Sequence, residues 1–156
     1  MNLSEFKKYF ENDRSIKYFP EMVRRLHHLS VQGFVHFLPY GNVTFYSKKH
    51  EIIMLRGEKE YVHVSDNVDK SALIKTLHCY FDNNITYTLF CQSVAAAGIC
   101  KWVVELDKGI IMFFSKNHDI ILTLDISVYI TTNTDSVEYF KASLENAQEA
   151  RNCMGD

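Results

Sequence analysis

Two histidines, His50 and His118, have the type and spacing that first suggest chemistry. Each follows a Ser-Lys-X sequence, and 68 residues separate them. Imidazole nitrogens are common metal ligands, so such a pair suggests a shared metal ion. Each histidine, however, sits in a polar break between two β-rich runs, which is typical of a hairpin tip. No cluster of His, Asp or Glu at metal-ligand spacing accompanies either one. We interpret both as turn residues and expect no metal.

Cys79, Cys91 and Cys100 are the candidate nucleophiles. A reactive cysteine needs a neighbouring base and an electropositive site, but apolar residues surround all three. Their spacing has no C-x-x-C pattern, which is typical of reduced thiols in a cytoplasmic protein. Phosphate-binding, dinucleotide-binding and hydrolase motifs are absent from the sequence. We therefore expect no catalytic residue and no cofactor. A small-molecule site or enzyme with an unrecognised site stays open as an alternative.

Basic residues form a second set of candidates, for contact with an anion. Arg24 and Arg25 lie on a predicted helix, and Lys48 and Lys116 lie at the two predicted hairpin tips. Together they could serve a nucleic-acid-binding protein that uses a duplicated, saddle-like sheet. A net charge of −2 argues against that alternative, because a nucleic-acid-binding domain normally carries a basic surface.

The two histidines belong to the strongest internal match in the chain. Residues 45–53 and 113–121 are identical at six of nine positions. At the same offset, residues 35–61 and 103–129 share ten identities in 27 positions. Such self-similarity predicts a tandem duplication. The alternative is that two similar hairpins converged on similar β-forming residues.

Each matched stretch is expected to form a hairpin. We place Tyr46 opposite Glu51, so that alternate side chains share a face. One face is then wholly apolar and is expected to face the core, with Val43, Phe45, Ile52 and Met54 in the first hairpin and Ile111, Phe113, Ile120 and Leu122 in the second. The other face is mixed in character, and from it we predict a partner-binding surface made by Tyr46, Glu51, Phe114 and Asp119.

These hairpins are expected within an α+β fold with antiparallel sheet and helices gathered on it. The predicted single domain, 1–156, contains a short N-terminal helix at 3–12 and two pseudo-repeats at about 16–82 and 83–151. Each repeat consists of a helix, about four strands and a helix. The predicted strands are 34–38, 42–47, 51–56 and 60–64 in the first repeat, and 101–106, 109–115, 118–125 and 127–131 in the second. The predicted helices are 21–31, about 68–81, 85–98 and about 137–151. A strand is the alternative for 85–98, because Ile85-Thr86-Tyr87-Thr88 favours β-structure.

Composition favours a protein-binding function over catalysis. The chain has 156 residues, 47% of them hydrophobic and 13% aromatic, which is more aromatic side chains than one core needs. Aromatic residues at half-exposed positions suit protein interfaces. We expect a non-enzymatic module of the dedicated-chaperone or toxin-immunity type, which masks a partner protein. A homodimer through the same face competes with that expectation. No membrane segment is predicted, and the expected location is the cytoplasm.

Overall fold

Six strands and five α-helices make up the part of the chain that the computed structural model describes, residues 16–57 and 60–153. A short 3-10 helix, Ile16–Tyr18, precedes them. The helices are α1 (Phe19–His28), α2 (Lys70–Phe81), α3 (Tyr87–Ala96), α4 (Ser127–Thr131) and α5 (Glu138–Cys153). The strands are β1 (Val31–Phe37), β2 (Val43–Ser47), β3 (Ile52–Leu55), β4 (Ile99–Glu105), β5 (Ile110–Ser115) and β6 (Ile120–Asp125). The predicted helix at 3–12 lies outside the described residues.

The strands form one antiparallel sheet in the order β3-β2-β1-β4-β5-β6. Two three-stranded meanders are therefore joined side by side, through pairing of β1 with β4. The predicted α+β class with antiparallel sheet is confirmed.

Helices cover one face of this sheet. The strand residues that point toward them include Phe34, Phe45, Val104, Phe113 and Leu124, each no more than 4% exposed. All five helices supply side chains to the same hydrophobic cluster, either buried or packed against it. An aromatic group within the cluster ties the helices together, since Phe140 contacts Phe19, Phe81 and Tyr129 at ring-centroid distances of 5.3, 5.0 and 4.6 Å. In the part of the chain that the structure describes, no helix covers the other face of the sheet.

The predicted fourth strand of each repeat is wrong. Residues 60–64 are irregular, because the Val62 N–H donates to the Pro39 carbonyl (2.7 Å) rather than to a strand. The predicted strand 127–131 is helix α4. Ile126 is the N-cap of that helix, and the Asp125 carboxylate accepts from the Ser127 N–H (2.8 Å) at its first residue. Tyr129 is fully buried in the core. The β-propensity of Val128, Tyr129 and Ile130 is thus overridden by tertiary packing.

The predicted hairpin register is also wrong, by one residue. Tyr46 pairs with Ile52 and Phe45 with Ile53. The cause is a three-residue turn, in which the Ser47 N–H donates to the Glu51 carbonyl (3.0 Å) and His50 adopts a left-handed φ of 65°. Ile52 therefore points to the face away from the helices, together with Met54, and the two are 67% and 70% exposed.

The second hairpin has the same kind of turn. The Ser115 N–H donates to the Asp119 carbonyl (3.0 Å), and His118 has a φ of 64°. Ile120 consequently pairs with Phe114 and is 54% exposed, so its predicted core position is wrong. A register shift between Phe113 and Phe114 then returns Leu122 to the core side, as predicted.

Helix boundaries follow local capping. The predicted helix at 85–98 is observed as α3, with the Thr86 hydroxyl accepting from the Leu89 N–H (3.1 Å) and Gly98 ending it at a φ of 92°. The predicted C-terminal end of the first helix, 21–31, is wrong. The helix ends at His28, and Ser30, at a φ of 64°, turns the chain into β1.

Several boundaries in the two halves differ by the same 68 residues. Helices α1 and α3 correspond over their whole length, as do strands β1 and β4. Left-handed residues also correspond, with Ser30 and Gly98, Gly41 and Gly109, and His50 and His118 at that offset.

Candidate functional site

The face of the sheet that points away from the helices is the candidate functional surface, and we call it the open face. Its members follow from strand alternation and the observed pairing. They are Gly33, Val35, Phe37, Thr44, Tyr46, Ile52, Met54, Lys101, Val103, Glu105, Ile110, Met112, Phe114, Ile120, Thr123 and Asp125. Nine of these sixteen are aliphatic, methionine or phenylalanine side chains.

Cross-strand pairing arranges the open face in three rows. The central row crosses all six strands and consists of Met54, Thr44, Val35, Val103, Met112 and Thr123. The row at one end of the strands, the lysine row, consists of Phe37, Lys101, Phe114 and Ile120. The row at the other end, the glutamate row, consists of Ile52, Tyr46, Gly33, Glu105, Ile110 and Asp125.

Apolar side chains on this face remain in contact with solvent. Phe37, Ile52, Met54 and Ile120 are between 39% and 70% exposed. The residues nearer the middle of the sheet, such as Val35 and Met112, are half-buried by their neighbours. Contiguous exposed apolar surface of this kind marks interaction sites in folded proteins.

Tyr46 lies across Gly33 in the glutamate row. A Cβ atom at Gly33 would be 2.5 Å from the Tyr46 phenolic oxygen and 2.5 Å from the Val104 carbonyl oxygen. Partial burial, with smaller contributions from the negative charges of Glu105 and Asp107, raises the pKa of the Tyr46 phenol. The phenol is therefore protonated at neutral pH and offers an O–H donor beside two carboxylates.

A small cleft opens next to this tyrosine. Its lining residues are Gln32, Tyr46, Glu105, Asp107 and Lys108, and its volume is about 140 Å³. Lys108 neutralises Glu105 at 3.1 Å. Ligand pockets usually measure about 300–1,000 Å³, so the cleft is too small for a cofactor or a drug-sized substrate.

Lys101 is the residue that β4 contributes to the lysine row, as Glu105 is in the glutamate row. Its ammonium nitrogen lies 5.1 Å from the centre of the Phe114 ring, within the range of a cation–π contact. The open face thus has one cation at one end of β4 and a carboxylate, Glu105, four residues away at the other end.

The edge strand β3 adds a second feature suited to protein contact. Within residues 16–57 and 60–153, β3 pairs with β2 only, so its outer backbone groups have no strand partner. An unpaired edge can accept an additional strand. The side chains Ile52 and Met54 join this edge to the open face.

Two of the four predicted partner-binding residues, Tyr46 and Phe114, lie on the open face. They occupy opposite end rows, three strands apart, so about 20 Å separates them. Glu51 and Asp119 are exposed at the ends of the two hairpin turns, on opposite ends of the sheet. The structure therefore places the four residues around one face but does not gather them into one cluster.

Sequence reasoning missed most of the open face. The sequence pattern assigns no face to Phe37, Val35 and Val103, and it places Ile52 and Met54 on the core face. The alternation of apolar residues in β1 and β4 was the available signal, but it does not say which side the helices cover.

The predicted anion-contact residues do not converge. Arg24 donates to the Thr134 carbonyl (2.8 Å) and forms an ion pair with Asp135 on the helical side of the sheet, and Arg25 is exposed on the same helix.

Lys48 and Lys116 follow β2 and β5 at opposite ends of the sheet. Lys48 lies 3.2 Å from Asp107 and Lys116 lies 2.7 Å from Asp66. The hydrogen bond from Lys116 lowers the pKa of the Asp66 carboxyl. Three of the four predicted cations are therefore neutralised by carboxylates.

Potential catalytic groups are also dispersed. The Cys100 thiol donates to the Ser115 carbonyl (3.3 Å), and burial raises its pKa, so it stays protonated rather than nucleophilic. Among the described residues, no group of three or more His, Cys, Asp or Glu side chains could hold a metal ion. In the same part of the chain, no helix has both the length and the apolar character needed to cross a membrane.

A buried polar contact lies on the opposite, helical side of the sheet. His36 is 3% exposed, stacks on Trp102 at 4.2 Å, and its Nε2 lies 2.9 Å from the Tyr87 hydroxyl. Because helix α3 covers it, this contact serves the core and gives no access to a substrate.

Comparison with known proteins finds a family whose model matches most of the chain. Residues 7–125 match the model of a family described as "Protein of unknown function (DUF1398)". The chain is also similar to "Uncharacterized protein YcgX" from Escherichia coli (strain K12), with 19% identity over 121 residues, which cover 78% of this chain and 90% of that protein. The family match spans well over half of the sequence, and the chain therefore belongs to the DUF1398 family.

Proposed function

We propose that this chain is a non-enzymatic protein-binding module whose open face masks a surface of a partner protein. The single observation that carries the proposal is a sheet face that no helix of the described residues covers, with nine apolar side chains in cross-strand register. Burial of apolar surface drives most protein association, so the free energy falls when a partner covers this face. Dedicated chaperones and toxin-immunity proteins act by masking in this way, and we propose that the chain does so in the cytoplasm.

The polar residues of the face support a protein partner. Lys101, Glu105 and Asp125 lie in the end rows, whereas the central row contains only aliphatic, methionine and threonine side chains. An apolar centre with a charged rim is the usual composition of a protein interface.

Affinity capture from the source cell tests the proposal with a matched pair of variants. Met112→Glu places a carboxylate in the central row, whereas Gln92→Glu adds the same group to an exposed position on α3, on the helical side. We expect the wild type and Gln92→Glu to recover the same protein in stoichiometric amounts, and Met112→Glu to lose it.

Equal recovery with all three chains would contradict the proposal, as would co-purification of nucleic acid in place of a protein. The identity of the recovered protein distinguishes the two types of function, because a secreted effector indicates a chaperone and a toxin indicates an immunity protein. Circular dichroism of Met112→Glu excludes misfolding as the cause of a loss.

We further propose that the two halves, about 16–82 and 83–151, arose by tandem duplication. The common 68-residue offset of the α1 and α3 boundaries, the β1 and β4 boundaries and three left-handed positions supports this origin. If the two turns are equivalent, Lys49→Asn, which gives the first turn the sequence of the second, should change the free energy of unfolding by less than about 0.5 kcal/mol. A loss above about 1.5 kcal/mol in denaturant unfolding would contradict equivalence.

A further inference from the structure

We propose that a second copy of this chain occupies the open face, with the two sheets packed face to face about a twofold axis that runs across the strands. This inference rests on the proposed function in one respect, because both use the open face as the binding surface. In such a dimer each strand lies over its own counterpart in the opposite direction. An external partner would then compete with the second copy for the face.

Charge complementarity selects this axis. Lys101 and Glu105 lie on the same strand, β4, two residues on either side of Val103. A twofold axis across the strands at the level of Val103 places Lys101 of each copy over Glu105 of the other, so the dimer has two such pairs. Opposite charges that face each other across an interface fix its register and suppress other arrangements.

The other in-plane axis, which runs along the strands between β1 and β4, is disfavoured. About that axis, each end row of one copy would lie over the same row of the second copy, and β1 of one copy would lie over β4 of the other. Lys101 would then lie over Phe37 of the second copy, and Glu105 over Gly33. Lys101 would lose water without gaining a partner of opposite charge, which is costly, whereas Glu105 would keep only Lys108 of its own chain.

The central row is self-complementary about the axis across the strands. Val35, Val103, Met54 and Met112 would each meet the same residue of the second copy. Methionine side chains adapt to irregular gaps, so two of the four contacts can adjust to the twist of the sheets. Packed sheets lie about 10 Å apart with strands aligned within about 30°.

The area of the face is sufficient for a reversible dimer. Six strands about 4.8 Å apart and five residues of about 3.4 Å each give a face of about 29 Å by 17 Å, or roughly 500 Å². Two copies would bury roughly 1,000 Å², which is the lower limit for a specific interface. We therefore expect a dimer that dissociates on dilution.

Strand addition at the β3 edge explains less of the surface. That edge consists of only four residues, Ile52–Leu55. A strand added there would leave Val35, Val103 and Met112 uncovered, because they lie on β1, β4 and β5. Face-to-face packing covers the whole row.

Charge reversal tests the arrangement. Lys101→Glu and Glu105→Lys each create two like-charged contacts across the dimer, so each variant alone should be a monomer. An equimolar mixture restores opposite charges at both contacts and should form a heterodimer. Lys75→Glu reverses a charge at an exposed position on α2, on the helical side, and should dimerise like the wild type.

Sedimentation velocity of the purified proteins, from about 1 to about 300 µM at low salt, gives the readout. We expect at least a tenfold weaker dimer for each single variant and recovery to within about threefold in the mixture. Because Glu105 also pairs with Lys108, thermal unfolding checks that Glu105→Lys is folded. Met54→Glu, at a 70% exposed central-row position, provides a second variant that should be monomeric and folded.

Three results would overturn the proposal: a wild-type monomer at every concentration, a Met54→Glu dimer as stable as the wild type, or a mixture that stays monomeric although each variant is folded. The affinity capture described above is independent of these results. A monomeric protein that still captures a partner through Met112 would overturn the dimer and leave the protein-binding function standing. A dimer that captures no protein would overturn the protein-binding function and leave the dimer standing.

Discussion

At the scale of single residues, the backbone of His50 decides which side chains reach the open face. Its left-handed φ of 65° completes a three-residue turn and sets the pairing of Tyr46 with Ile52. Histidine is tolerated in this conformation better than most side chains, whereas a β-branched residue is strongly disfavoured.

Substitution at this turn should therefore depend on backbone preference rather than on charge. We expect His50→Val to lower the free energy of unfolding by about 1–2 kcal/mol, because valine at positive φ is strained. His50→Asn is the matched control and should be near neutral, because asparagine tolerates the same φ. Equal effects of the two substitutions in urea unfolding would show that the turn geometry is not the cause.

Tyr46 gives the open face a pH dependence. Its pKa is raised above the usual 10.0, first by burial and then by Glu105 and Asp107. The folded state therefore resists ionisation more than the unfolded state does. The stabilising contribution is complete below pH 10 and is lost as the pH rises through the folded-state pKa.

Alkaline unfolding checks this expectation. The free energy of unfolding of the wild type should fall more steeply above pH 10 than that of Tyr46→Phe, which has no group to ionise at this position. Tyr18→Phe, at a half-exposed position on the helical side, serves as the control. Parallel curves for the wild type and Tyr46→Phe would refute the raised pKa.

At the scale of elements, the pairing of β1 with β4 joins the two halves of the sheet. Gly33 permits the close approach there, because a Cβ atom would collide with Tyr46 and with the Val104 carbonyl oxygen, each at 2.5 Å. A flexible side chain can move away from such a collision, but the β4 backbone cannot move without disturbing the ladder.

We therefore expect Gly33→Ala to destabilise the protein by about 1–3 kcal/mol, the usual cost of overpacking. Gln32→Ala, at the exposed neighbouring position, should have little effect. The double variant Gly33→Ala/Tyr46→Ala should remain destabilised, since the contact with Val104 persists. Full rescue in thermal unfolding would contradict this explanation.

The element scale also shows what local sequence can predict. The helix propensity of Gln92–Ala97 predicted α3, and capping residues with apolar periodicity predicted α5, because those signals act within the helix itself. The strand predicted at 127–131 is wrong because burial of Tyr129 and the hydrogen bond from the Ser127 N–H to the Asp125 carboxylate outweigh β-propensity. The hairpin register failed because a single φ, at His50, shifts the alternation by one residue.

The candidate site could be predicted only in part from local sequence, because it too depends on tertiary contacts. Tyr46 and Phe114 were correctly expected to share a face, because they are equivalent in the matched hairpins. The exposure of Ile52, Met54 and Phe37 depends on the turn and on which side the helices cover. Those two features are set by tertiary contacts that no short segment contains.

At the scale of the whole molecule, residues 16–57 and 60–153 form an asymmetric two-layer structure, with helices on one side of the sheet and an apolar face that none of these helices covers on the other. A partner that fits this face lowers the free energy by burying its apolar side chains. The five methionines include two, Met54 and Met112, in the central row and one, Met22, packed against the core on the helical side. Their methyl groups can therefore report on the two sides of the sheet separately.

Binding at the open face is tested most directly by a methyl NMR spectrum of methionine-labelled protein, recorded over increasing concentration and then with the captured partner. We expect the Met54 and Met112 signals to shift or broaden in both experiments, while the Met22 signal stays fixed. Met54 and Met112 signals that do not change in either experiment, or a partner that shifts Met22 alone, would contradict the assignment of the open face as the binding surface.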